Sequence, residues 1–194
     1  MYLPRLILAS TSPYRKELLE RLGISFETAA PDLDESRKEG ETAGETSIRL
    51  AIAKAKVLAD LYPNSLIIGS DQVALLGDEQ LGKPGTHDRA VHQLQQMRGH
   101  TLAFHTALCL YNTTTGREQH AVDITRVTMR DYSDAEIETY LQREKPYNCA
   151  GSAKTEGLGI VMIAAIVGTD PAAIIGLPLI ELITMLKNEG FPLL

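Results

Sequence analysis

The sequence predicts an α/β fold built on a mixed β-sheet with flanking helices. Short apolar runs alternate with segments of helical spacing along nearly the whole chain. Between Thr101 and Met129 the residues read as one long β-hairpin about Asn112–Gly116, which adds an antiparallel pair to strands joined by helices. The 194 residues are 44% hydrophobic and 23% charged, the composition of a folded domain or two small lobes rather than a disordered chain.

Arg5–Ala9 is the first strand. Ser10-Thr11-Ser12-Pro13 then starts a helix, because Ser12 can cap it and Pro13 suits the first helical position. Tyr14, Leu18 and Leu22 recur at spacing four, and Gly23 ends the helix. Ser25–Ala29 is a second strand, leading into an acidic loop. A second helix is expected from about Glu45 to Leu61, stopped by Pro63. Leu66-Ile67-Ile68 is a buried strand, interrupted by Gly69-Ser70-Asp71-Gln72 before apolar residues resume at Val73–Leu76. Gly82-Lys83-Pro84-Gly85 is a turn, followed by a third helix from about Thr86 to Met97. After the hairpin, Ser133-Asp134-Ala135-Glu136 is a capping box that opens a helix to about Arg143. Small residues make Asn148–Gly159 a loop, Leu158–Val167 reads as a strand, and Pro178–Lys187 as a helix closed by Asn188 and Gly190. No repeat or linker divides these elements, so a single domain over residues 1–194 is expected.

Charge narrows the function. A net charge of −6 argues against stable nucleic-acid binding, which needs a basic face to displace counterions. Residues 31–45 hold six acids against Arg37 and Lys38, a local charge of −4. The longest apolar stretches, Ile160–Val167 and Ala172–Ile180, are short or broken, so no membrane span is expected. Arg5 interrupts an N-terminus too short for the apolar part of a signal peptide. Cys109 and Cys149 form no CxxC pair, which suits a reduced, cytoplasmic protein. The five histidines show no ligand spacing.

Two segments carry chemistry. In Ile7–Arg15 (ILASTSPYR) two serines and an arginine stand at a strand-to-helix junction, where amides and the helix dipole favour an anion and Arg15 adds a bidentate donor. The alternative is a capped helix with a solvated arginine. In Gly69-Ser70-Asp71-Gln72 an acid breaks an apolar strand, which indicates either a bulge or an active-site carboxylate. Lys54 lies in an apolar stretch and reads equally as a snorkelling lysine, and Lys83 as a turn lysine. Asp34-Glu35 could offer an oxygen ligand to a hard cation or be part of a solvated run.

Taken together, these segments are more specific. SxSPxR near the start, Asp34-Glu35, Lys54, GSDQ, GKP, AGS followed by EG, and GLP near the end occur in a fixed order. In this the chain resembles the Maf-like nucleoside triphosphate pyrophosphatases over essentially its whole length. The resemblance implies an elongated mixed sheet, two lobes around a central nucleotide cleft as in Maf and ITPase-like folds, and divalent-metal-assisted hydrolysis of a nucleoside triphosphate to the monophosphate and pyrophosphate. It casts Asp71 as general base, Ser10, Arg15, Lys54 and Lys83 as phosphate contacts, and Glu35 as a metal-side carboxylate for Mg²⁺ or Mn²⁺. Tyr14, Gln72 and Glu156 stand where dTTP/UTP-type members have Arg, Thr and Gln. That set, with CAGSxKxEG at Cys149–Gly157, resembles the 7-methyl-GTP pyrophosphatase subgroup. The chain departs from the family's habit at Ala53 and at Ala164-Ala165, neither of which touches these roles.

The base chemistry agrees with that subgroup. N7 methylation makes guanine cationic, so a Tyr14 face would gain stacking and cation–π energy, about 1–2 kcal/mol. Guanine's N1–H and N2–H₂ are two donors that one carboxylate accepts together, whereas uracil presents acceptors that a carboxylate repels; Glu156 therefore favours guanine. The expected partners are a nucleoside triphosphate and, at most, a second copy of the chain. A regulator of cell division that binds nucleotide without turnover is the rival class.

Overall fold

The computed structural model describes residues 4–193 and groups them into two compact units. The first holds the described residues up to Gln72, Thr106–Asp123 and those from Asp170 on. The second holds Val73–His105 and Ile124–Thr169.

In the first unit, β1 (Arg5–Ala9) lies between two parallel partners, β2 (Glu27–Ala29) and the first part of β3 (Ser65–Leu76). The last part of β5 (Thr101–Asn112) and the start of β6 (Glu118–Met129) extend the order to β2-β1-β3-β5-β6. Parallel strands buried on both faces carry apolar residues at every position, and here the period of two sorts them. Leu6, Leu8, Leu66, Ile68, Leu108 and Leu110 pack under α1 (Pro13–Glu20) and α5 (Leu179–Asn188). Ile7, Ala9, Ile67, Ala107 and Cys109 face α2 (Ala43–Lys56) through Ala51 and Ala55. The unit is thus a sheet with a helical layer on each face.

In the second unit the end of β3 pairs antiparallel with β4 (Glu79–Leu81), and β6 pairs antiparallel with β7 (Ile163–Val167) across a register shift at Thr128/Met129. Helices α3 (His87–Met97) and α4 (Asp134–Glu144) pack on one another, and Leu94, Met97, Ile137, Tyr140 and Leu141 are buried. The Tyr132 hydroxyl donates to the Leu94 carbonyl at 2.8 Å.

The structure corrects several boundaries. The second helix begins at Ala43, not Glu45, because Thr42 forms a full capping box with Glu45. It ends at Lys56, and residues 57–61 are turns rather than helix. Residues 158–162 form a 3₁₀ turn, so the strand predicted from Leu158 begins at Ile163. The strand from Ser25 begins at Glu27. The largest correction concerns β3: Gly69-Ser70-Asp71-Gln72 does not interrupt it, and one strand of twelve residues runs from Ser65 to Leu76. Among the described residues no helix is long and apolar enough to cross a membrane.

Candidate active site

The site of the first unit follows from the alternation along β3. Ile67, Gly69 and Asp71 share the face that meets α2, while Ile68, Ser70 and Gln72 share the opposite face. Gly69 brings helix and strand unusually close. A Cβ at this position would lie 2.0 Å from the Ala51 carbonyl oxygen and 2.9 Å from the Ala55 nitrogen. Lys54 lies one turn beyond Ala51 on the same buried side of the helix, so its ammonium arrives at Asp71.

The resulting contacts settle the reading of Lys54. Its Nζ donates to Asp71 Oδ1 at 2.7 Å and lies 3.0 Å from Glu35 Oε1. The lysine and aspartate side chains are 6% and 11% exposed, while Glu35 is 55% exposed. Lys54 is therefore not a snorkelling surface lysine; it joins a buried carboxylate to one on the acidic loop. Burial raises the Asp71 pKa above its ordinary 3.8, although Lys54 and Arg15 pull the other way.

Arg15 reaches the same cluster from α1. Ser12 caps that helix by accepting the Arg15 backbone N–H at 3.4 Å, and Ser10 Oγ accepts the Ser12 N–H at 3.1 Å. The Arg15 Nε donates to the Gly176 carbonyl at 2.8 Å. Burial lowers its pKa below the ordinary guanidinium value, and the nearby negative charges of Asp71 and Glu35 oppose that shift. Gly176 has φ 126°, and a Cβ there would stand 3.4 Å from Arg15 Nε, so both backbone shape and space favour glycine.

On the opposite face of β3, Ser70 Oγ lies 2.8 Å from the Ala107 carbonyl and 2.9 Å from that of Gly176. The Gln72 amide nitrogen is within 3.1 Å of Thr106 Oγ1 and the Ala173 and Ile174 carbonyls. Its nitrogen is thereby committed to the protein. Asp170 secures this segment by accepting the backbone N–H groups of Ala172 and Ile180 at 2.8 and 2.6 Å.

Ser10, Arg15, Glu35, Lys54, Asp71 and Gln72 thus belong to one unit, and Arg15, Glu35, Lys54 and Asp71 form one charge cluster in it. Tyr14 is the half-buried second residue of α1. Lys83 and Glu156 belong to the second unit, both exposed: Lys83 in the irregular segment after β4, where the sequence predicts a turn, and Glu156 in the turn before residues 158–162.

Sequence reasoning overlooked what holds the acidic loop. Arg49, on α2, donates to Glu41 Oε1 and Oε2 at 2.5 and 2.7 Å and to the Ser36 carbonyl at 3.0 Å. This ties down the chain directly after Glu35, at Ser36 and Glu41. The partners are 8 and 13 residues apart, outside any helical spacing, so no pattern in the sequence marks them.

A metal can be judged against this donor set. Among the described residues no group of three or more His, Cys, Asp or Glu side chains converges as a self-sufficient metal site. Asp71 and Glu35 nevertheless each set a carboxylate oxygen against the Lys54 ammonium. A hard divalent cation held by one or two carboxylates and completed by phosphate oxygens suits such a pair.

Comparison with known proteins agrees with the motif order. A protein of Cupriavidus pinatubonensis named 7-methyl-GTP pyrophosphatase is 55% identical over 190 residues, covering 98% of this chain and 96% of that one. A protein of Methylobacillus flagellatus with the same name is 57% identical over 188 residues, covering 97% and 98%. Among solved structures, the Staphylococcus aureus Ham1 protein aligns with a TM-score of 0.46 and 15% identity, covering 66% of this chain and 72% of that one. The family profile described as Maf-like protein matches residues 5–189, and the chain belongs to that family.

Proposed function

We propose that the chain is a nucleoside triphosphate pyrophosphatase that hydrolyses 7-methyl-GTP to 7-methyl-GMP and pyrophosphate, removing a modified nucleotide from the pool. The observation that carries the hydrolytic reading is the buried Asp71 carboxylate on the Lys54 ammonium, in one cluster with Glu35 and Arg15. The nucleotide comes from the relatives, whose names state it and whose identity to this chain spans nearly its whole length.

In this reading water attacks the α-phosphorus, Asp71 takes its proton, and the bond between the α-phosphorus and the bridging oxygen breaks as pyrophosphate leaves. An ordinary aspartate is a weak base for water. Burial makes Asp71 a better one by raising its pKa. Lys54 holds the carboxylate in place, and Arg15 and Lys83 offset charge on the triphosphate. Ser10, at the end of β1, adds a hydroxyl to the phosphate contacts. The four charges of Arg15, Lys54, Asp71 and Glu35 cancel, so a polyanionic substrate needs further positive charge. Mg²⁺ or Mn²⁺ held by Glu35 and Asp71 would supply it, and would lower the pKa of a bound water. Tyr14 and Gln72 are assigned to the nucleoside and Glu156 to the guanine edge.

The reading places the protein in the cytoplasm, acting on free nucleotide rather than nucleic acid. A charge of −6 and two free cysteines support this. The test is a panel of 7-methyl-GTP, GTP, dTTP and UTP with Mg²⁺, Mn²⁺ or chelator, run on wild type and Asp71→Asn. The expected result is fastest release of pyrophosphate from 7-methyl-GTP, metal dependence, and a kcat at least about 10²-fold lower in Asp71→Asn with nucleotide still bound. Preference for UTP would move the chain to the other substrate class of the family. Nucleotide binding with no turnover would leave a regulator.

A further inference from the structure

We infer that Glu144 is a positioning residue for base selection: its carboxylate ties together both ends of the short segment that carries Glu156. This rests on the assignment of Glu156 to the guanine edge.

Glu144 is the last residue of α4, and its side chain is only 14% exposed. One carboxylate oxygen lies 2.9 Å from Lys154 Nζ, and the other accepts the Leu158 backbone N–H at 2.7 Å. Residues 154 and 158 bracket Thr155, Glu156 and Gly157. One helical turn earlier, the Tyr140 hydroxyl accepts the Lys154 backbone N–H and donates to the Ser152 carbonyl, both at 3.1 Å. The same face of α4 therefore fixes residues 152, 154 and 158.

The loop's own backbone completes the closure. The Gly157 N–H donates to the Lys154 carbonyl at 3.1 Å. A Cβ at Gly157 would lie 2.8 and 2.9 Å from the two Glu144 oxygens, and a Cβ at Gly159 would lie 2.4 Å from the Lys154 carbonyl oxygen. The glycines let the chain press against its anchors. Between residues 154 and 158 only Glu156 is exposed, and Thr155 Oγ1 lies 3.4 Å from Glu156 Oε2. Glu156 is exposed, so its direction comes from the anchored backbone rather than from packing.

A carboxylate that must accept two donors at once works only when held to within a fraction of an ångström. Both Glu144 bonds are charge-assisted, the stronger kind. They outweigh the cost of burial and hold the Glu144 carboxyl below its ordinary pKa of 4.5. The anchor is thus charged whenever the enzyme works near neutral pH.

The test measures kcat/KM for 7-methyl-GTP and UTP in wild type, Glu144→Ala, Glu144→Gln, Lys154→Met, Glu156→Gln and the double variant Glu144→Ala/Glu156→Gln. Glu144→Ala should lower the ratio of the two substrates by about tenfold, through 7-methyl-GTP alone. Glu144→Gln keeps an acceptor for Leu158 and should lower it by about threefold. The double variant should be no less selective than Glu156→Gln, because the two residues act as one. An equal loss on both substrates, or effects that add in the double variant, overturns the inference and leaves Glu144 a structural residue. If Glu144→Ala does not fold, Glu144→Gln and Lys154→Met carry the same comparison. If Glu156→Gln leaves the ratio unchanged, the base-selection reading fails and takes the inference with it. A ratio that responds to Glu156 but not to Glu144 removes the inference alone.

Discussion

Lys54 and Asp71 form a 2.7 Å ion pair with both side chains largely withdrawn from water, and the pair exists because Gly69 lets α2 lie against β3. A buried pair of this kind is poor evidence for stability, since desolvation offsets much of the attraction. It is better evidence for a chemical task. Without Lys54 the Asp71 carboxylate would be buried with less compensation, and its proton affinity would rise further.

The sign of the pH dependence follows. A base must be ionised to accept a proton, and burial holds Asp71 above 3.8, so the acid limb of kcat/KM should lie above that pH. Lys54→Met removes the largest lowering influence and should move the limb to higher pH. Glu35→Gln removes a like charge and should move it lower. A pH–rate profile on the three proteins checks this. A limb in Lys54→Met at or below the wild-type position would contradict the role of Asp71.

Gly69→Ala should separate strand from helix. The added methyl meets the backbone of Ala51 and Ala55, which cannot rotate away. Overpacking of this kind costs about 1–3 kcal/mol, or a fall of roughly 2–4 °C in Tm for each kcal/mol. Activity should fall more than stability explains, because Lys54 is displaced from Asp71. Thermal unfolding and turnover measured on the same sample distinguish the two effects.

The clamp on the acidic loop should release at low pH. The Arg49 bonds hold the Glu41 carboxyl down to about 2 from an ordinary 4.5. A depressed carboxylate contributes its stabilisation in full above the unfolded value and loses it as pH falls through the folded one. The contribution therefore disappears between about 4.5 and about 2. Arg49→Met should have a lower Tm than wild type at neutral pH, with the gap closing through that window. A gap that stays constant with pH would mean that Glu41 does not report on the clamp.

Two substitutions should act on different discriminations. Glu156→Gln opposes an NH₂ to one guanine donor and should lower kcat/KM for 7-methyl-GTP by about 30- to 150-fold while sparing UTP. Tyr14→Ala should narrow the preference for methylated over plain guanine, since stacking responds to the added positive charge. Steady-state kinetics on 7-methyl-GTP, GTP and UTP check both.

The sequence by itself determined the alternation of strands and helices, the helix starts at Ser12 and Ser133, the hairpin after β5, and the order of motifs that marks the family. These are local: a cap needs three or four residues and a hairpin a turn. Only the tertiary structure decided that GSDQ continues β3, because a strand tolerates an acid in its interior when a cation arrives from elsewhere. Lys54 stands 17 positions away on another element. The same holds for Arg15 on Gly176, 161 positions apart, for Arg49 on the acidic loop, and for Glu144 on both sides of Glu156. In each case one side chain compensates a charge or a backbone group that folding has brought beside it, and no periodicity in the chain records that meeting.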